Sequence, residues 1–174
     1  MFDSKPQLIV VMGVSGCGKS TVGTALAEAL SIGFHDGDDF HSAANVAKMS
    51  QGIPLDDSDR EPWLQSIVNF SAVQCKDGTS LIVACSALRK KYRDHLRQSD
   101  HPVSFVHLEA PFEVIFERMK QRSDHYMPES LLRSQFDTLE NPQGEPGVCT
   151  VSIEQPIAVA VSQAIELLGF STEV

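Results

Sequence analysis

Eight consecutive residues, Gly13-Val14-Ser15-Gly16-Cys17-Gly18-Lys19-Ser20, satisfy the pattern G-x-x-x-x-G-K-[ST] without a mismatch. A loop of this type turns its backbone N–H groups inward around a phosphate, and the helix that follows adds a favourable dipole. Lys19 is then expected on the β- and γ-phosphates of a nucleotide, and the Ser20 hydroxyl on Mg²⁺. The flanks agree, because the apolar run Leu8-Ile9-Val10-Val11-Met12 leads into Gly13 and a helical pattern over 21–30 follows. A glycine-rich turn carrying a chance lysine would need neither flank. Cys17 lies inside the loop, where phosphate-binding amides can depress a thiol pKa; the simpler reading is a small, tolerated side chain.

A second string, Asp36-Gly37-Asp38-Asp39-Phe40-His41, follows a short candidate strand at Gly33-Phe34-His35. Carboxylates leaving the C-terminal end of a parallel strand face the edge where ligands bind, beside the phosphate loop. Asp36 and Asp38 are two apart and point the same way in extended backbone. One could hold a magnesium-bound water and the other a substrate hydroxyl, whereas a solvated acidic turn is the plain alternative.

The elements that must position these groups are legible from periodicity. Leu8–Met12 and Leu81-Ile82-Val83-Ala84-Cys85 are continuous apolar runs of the kind that suits a parallel sheet covered on both faces. Weaker strand candidates lie at 103–108 and 148–153. Helical patterns occupy 19–30, 62–75, 90–98, 111–121, 128–139 and 156–168, and Pro62, Pro111, Pro128 and Pro156 each stand where a helix can start. Strand-helix alternation predicts an α/β protein with a mainly parallel sheet. Two stretches depart from it, a polar insertion over 41–75 and an excursion over 122–141, and both read as substrate cover or lid within one 174-residue domain.

Composition limits the partners. With 14 Lys and Arg against 23 Asp and Glu, the net charge is −9, which argues against nucleic acid or an anionic membrane as a partner. Cys17, Cys75, Cys85 and Cys149 show neither metal-site nor disulfide spacing and read as free thiols of a reducing compartment. No basic stretch followed by an apolar one opens the sequence, and the apolar runs are far shorter than the ~20 residues that span a bilayer. A soluble cytoplasmic protein is the expectation.

Several blocks together make the chain resemble the small gluconokinases, relatives of shikimate and adenylate kinases. They are Gly13 to Thr21; Asp36-Gly37-Asp38-Asp39-Phe40-His41; Asn45-Val46-Ala47-Lys48-Met49 with Gly52-Ile53-Pro54-Leu55-Asp56-Asp57-Ser58-Asp59-Arg60-Glu61-Pro62-Trp63-Leu64; Cys85-Ser86-Ala87-Leu88-Arg89-Lys90-Lys91-Tyr92-Arg93-Asp94; and His125-Tyr126-Met127-Pro128 leading to Ser134-Gln135-Phe136 and Leu139-Glu140. The first block is common to many nucleotide-binding proteins; the third and fourth single out gluconokinases. The resemblance implies a P-loop kinase fold with a five-stranded parallel sheet of order 2-3-1-4-5 and helices on both faces. It implies ATP and Mg²⁺ as cofactors, gluconate phosphorylated at its terminal hydroxyl to 6-phosphogluconate, and a homodimer. By similarity to shikimate kinases, Asp36 is the metal-side carboxylate and Asp38 the hydroxyl-side one.

Gluconate has one carboxylate and five hydroxyls, so its pocket needs a cation and short polar groups. Arg60 could bind the carboxylate bidentately, or pair with Asp56, Asp57 or Asp59 instead. His41 and Lys48 are further candidates, and Trp63 reads as a helix anchor. Arg118 and Arg122, four apart, share a helix face, from which Arg122 could stabilise the transferred phosphoryl group and Arg118 the nucleotide. The nucleotide set is Gly13, Val14, Ser15, Gly16, Cys17, Gly18, Lys19, Ser20, Thr21 and Arg118; the catalytic set is Lys19, Asp38 and Arg122. Of the basic run Arg89, Lys90, Lys91 and Arg93, one residue is expected to help hold the sugar acid and most are expected in solvent. Two other readings stay open: a related kinase for another polyol acid or a nucleotide, and a nucleotide-dependent switch. The switch lacks the guanine-reading N-K-x-D string.

Overall fold

The computed structural model describes residues 5–122 and 128–170. Five strands, β1 (Leu8–Met12), β2 (Gly33–Asp36), β3 (Leu81–Ala84), β4 (Val103–Glu109) and β5 (Val148–Ser152), form one sheet. Their order is β2-β3-β1-β4-β5, with every pairing parallel. The helices are α1 (Lys19–Leu30), α2 (Ala43–Ser50), α3 (Asp57–Lys76), α4 (Lys90–Leu96), α5 (Phe112–Lys120), α6 (Glu129–Thr138) and α7 (Ile157–Leu167), with a 3₁₀ turn at Gly37–Phe40. The expected order 2-3-1-4-5 is therefore the observed one.

Every residue of β1 and β3 is buried, which is why both read as unbroken apolar runs. Alternate side chains of β1 feed two separate cores. Ile9 and Val11 pack with Val22 and Leu26 of α1, Ile115 of α5 and Ala164 of α7. Leu8, Val10 and Met12 pack with Trp63 and Ile67 of α3 and Leu96 of α4 on the opposite face. This two-residue alternation gives the sheet its helical cover on both sides.

Pro111, Pro128 and Pro156 immediately precede α5, α6 and α7, at φ near −57°, as expected of helix-starting prolines. Pro62 does not start a helix. It lies inside α3, which begins five residues earlier, where Asp56 accepts from the Asp59 N–H and Asp59 returns the bond to the Asp56 N–H. This reciprocal cap, together with burial of Trp63, Leu64, Ile67 and Val68, offsets a proline that removes a single donor near the helix start. Among the described residues no helix is long and apolar enough to cross a membrane.

Candidate active site

The phosphate loop leaves β1 at Gly13 and enters α1 at Lys19. Gly18 caps α1 at φ 93°, a left-handed conformation that suits glycine. Lys19 Nζ donates to the Gly13 and Val14 carbonyls, both at 3.1 Å, so its ammonium lies over the mouth of the loop. Cys17 is buried beneath it; a Cβ on Gly13 would come within 2.7 Å of the Cys17 sulfur. Burial pushes this thiol up, with Lys19 pulling weakly the other way, so Cys17 is a protonated packing group and not a ready thiolate.

Across the sheet edge, β2 ends in Asp36, whose carboxylate accepts the Asp38 N–H at 2.9 Å and so starts the 3₁₀ turn. The turn lies tight against β3. A Cβ on Gly37 would meet the Ala84 carbonyl at 2.4 Å, which explains the glycine between the two aspartates. Trp63 Nε1 donates to the Gly37 carbonyl at 2.7 Å, and the Trp63 indole stacks on His41 at 4.2 Å and 17°. Trp63 thus anchors α3, as read from the sequence, and also braces the acidic turn.

Loop and turn face one cleft of about 840 Å³, lined by Ser15, Lys19, Ser20, Asp36, Asp38 and His41 on the sheet side. Gly16, Gly18 and Thr21 line it as well, with Arg60 and Arg122 from the surrounding helices. Partial desolvation raises the Asp38 carboxyl above its ordinary value, and the Asp36 charge adds to this; His41 and Lys19 oppose it. The Asp38 side chain still keeps 85% of its exposure, so the neighbouring charge is the firmer cause. Burial lowers His41 below 6.5, leaving it neutral at pH 7, and its 3.9 Å approach to Asp38 is a dipolar contact.

Arg60 Nη1 donates to Tyr92 Oη at 3.2 Å and stacks over that ring, while Tyr92 donates to Asp57 at 2.8 Å. The guanidinium is therefore held in the cleft by an aromatic platform. Lys48 stands apart from the cleft lining, its ammonium paired with both Asp59 oxygens at 2.7 and 2.8 Å. Arg118 donates to the Ile153 carbonyl and lines a neighbouring cavity of about 430 Å³ with Cys17, Gly18, Ile157 and Arg122. Arg122 borders both cavities.

Arg89, Lys90 and Lys91 of the basic run are exposed, as expected of mostly solvated side chains, and Arg93 is the exception. Arg93 has no exposed surface; it donates to the Ala87, Leu88 and Glu140 carbonyls and pairs with Glu145 at 2.6 Å. Lys90 pairs with Asp94 and Lys91 with Asp57. Arg89 lines the cleft with Ser86. Arg93 fastens the 85–89 loop, whose Ala87 adopts φ 43°, unusual for a residue with a Cβ. Sequence reasoning did not single out Ser86, although its place just past β3 is a usable signal. Gln135 was not legible as a site residue either, because its contact with Ser15 spans 120 residues and has no local signature. His125, Tyr126 and Met127 lie outside the described residues.

A parallel sheet of this order, with a phosphate loop after its central strand and an acidic turn beside it, defines a P-loop kinase. The AAA domain family matches residues 8–142. Gluconokinase of Gluconobacter oxydans is 45% identical over 161 residues, 92% of this chain and 90% of that protein. The thermoresistant gluconokinase of Escherichia coli is 44% identical over 163 residues, 92% and 93% of the two chains. A gluconokinase crystal structure from Sinorhizobium meliloti superposes with a TM-score of 0.85 at 47% identity, covering 94% and 92%. The chain belongs to the gluconokinase family.

Proposed function

We infer that this enzyme transfers the γ-phosphoryl group of ATP to the terminal hydroxyl of D-gluconate, giving 6-phosphogluconate and ADP. One observation carries the reading: in a chain about 45% identical to gluconokinases, the phosphate loop and the acidic turn open into one cleft that also holds Arg60 and Arg89. In the proposed mechanism residues 13–21 bind the triphosphate, and the cavity beside Arg118 receives the rest of the nucleotide. Lys19 shifts from the loop carbonyls to the β- and γ-phosphates. Asp38 orients the attacking hydroxyl and accepts its proton, while Arg122 stabilises charge on the moving phosphoryl group. His41 and Arg60 hold the sugar acid, Arg60 taking the carboxylate.

Lys48 is a further substrate candidate, but its pairing with Asp59 favours a role in holding α2 to the start of α3. The residues fit Mg²⁺: a hydroxyl, Ser20, and a carboxylate, Asp36, line one cleft. That is the donor set of an ion that takes its remaining oxygens from phosphate and water. Bound there, Mg²⁺ would neutralise phosphate charge during transfer. Residues 41–75 and 122–141 serve as substrate cover and lid of one kinase domain. A homodimer and a cytoplasmic location complete the reading, the first checked by light scattering. The deciding experiment is ADP release over a panel of sugar acids. Turnover that rises with gluconate above the other acids supports the reading, and gluconate-independent hydrolysis contradicts it.

A further inference from the structure

Gln135 of α6 and Ser15 of the phosphate loop form a closed hydrogen-bonded pair. Gln135 Oε1 accepts the Ser15 N–H at 2.6 Å, and Gln135 Nε2 donates to Ser15 Oγ at 2.9 Å. The first bond settles which end of the amide is oxygen, because only oxygen can accept from an N–H. The second then settles the serine. Its oxygen already receives a proton from Gln135, so its own hydroxyl proton must point elsewhere. Ser15 lines the same cleft as Lys19 and Asp38, and it follows the two residues whose carbonyls hold the Lys19 ammonium. The acceptor expected at that place is a phosphoryl oxygen.

The helix that carries Gln135 is seated independently of this pair. Leu132 is fully buried, and Phe136 meets Phe112 edge-on at 5.5 Å. Packing thus brings α6 to the body of the protein, and a polar group one turn beyond Leu132 reaches the loop. A helix needing only to be anchored would have no use for a glutamine that engages both the N–H and the hydroxyl of one loop serine.

We propose that Gln135 is a positioning residue for phosphoryl transfer, holding Ser15 so that its hydroxyl donates to the transferred phosphoryl group. The proposal rests on the kinase reading above. It makes the docking of α6 onto the phosphate loop a condition of the loop's working shape.

Two substitutions separate this role from simple anchoring. Gln135→Leu keeps the size and removes both bonds. Gln135→Glu keeps the acceptor for the Ser15 N–H but replaces the donor, so the serine hydroxyl turns back to the carboxylate. Each is expected to lower kcat by about tenfold, the worth of one well-placed hydrogen bond, with KM for gluconate little changed and Tm preserved. In a Ser15→Ala background the hydroxyl is gone, so Gln135→Leu should cost clearly less than it does in the unaltered chain. Full additivity in that cycle, normal kcat for Gln135→Glu, or losses that follow Tm would each overturn the proposal. Failure of the kinase reading would show separately, as absence of gluconate-dependent turnover in the unaltered enzyme.

Discussion

Lys19 and Asp38 line one cleft, and their surroundings suit them to different work. The lysine rests on two loop carbonyls at 3.1 Å, close to where phosphate oxygens would arrive, so its charge is already aimed. Replacing it with alanine is expected to cost on the order of 10² or more in kcat/KM while the fold is retained, which steady-state kinetics beside a thermal melt would show. In the proposed mechanism Asp38 faces a poor nucleophile, a primary hydroxyl, in a loose transition state where orientation counts as much as basicity. Asp38→Asn should lower kcat by about a hundredfold or more with ATP binding intact, since the loop is untouched. Because Asp38 titrates above the ordinary aspartate value of 3.8, the acid limb of kcat/KM is expected above that pH. The same shift has a stability sign: a carboxylate raised in the fold disfavours folding once ionised, so Asp38→Asn should not lower Tm at neutral pH. Near-normal kcat for Asp38→Asn with a large loss for Asp36→Asn would exchange the two roles. Both aspartates were legible in the sequence from spacing and position. Their separate roles were not, because the turn between them depends on Gly37 fitting against Ala84 and on Trp63 reaching from α3.

At the scale of elements, the loop after β3 and the segment after α6 are held together by one buried arginine. Arg93 serves three backbone carbonyls and Glu145, which Arg97 also bonds at 2.9 Å. The Arg93 hydrogen bonds are the main cause of a Glu145 pKa lowered to about 2 from 4.5. A depressed carboxylate stabilises the fold above its unfolded value and loses that contribution as pH falls toward 2. The linkage is on the order of 3 kcal/mol. Urea midpoints of the unaltered chain and Glu145→Gln should therefore differ most at pH 7 and draw together as pH drops from 5 toward 2; a constant gap would contradict the assignment. This knot was hidden in the sequence because Arg93 sits in a run of cations that looks solvated, and its partner lies 52 residues away. The start of α3 was misplaced for a related reason. Pro62 is a strong local signal, but the Asp56–Asp59 cap and the apolar face of the helix outweigh it. The strands β1 and β3 were legible because burial on both faces leaves no polar residue to blur the pattern.

For the whole molecule, a net charge of −9 and an anionic substrate pair are reconciled by local geometry. Lys19, Arg60, Arg89 and Arg122 open on the one cleft, while Lys48, Lys90, Lys91 and Arg93 are paired with carboxylates elsewhere. The sheet order puts the phosphate loop after the central strand and the acidic turn after the strand two places away, so the fold brings both groups to a single edge. In the proposed mechanism this edge joins the two substrates directly. Phosphorus NMR of the enzyme with ATP and gluconate tests it most directly. One equivalent of a new phosphate monoester, coupled to the terminal methylene protons of the sugar acid, is expected for each ADP formed. Inorganic phosphate as the product, or a monoester at another hydroxyl, would contradict it.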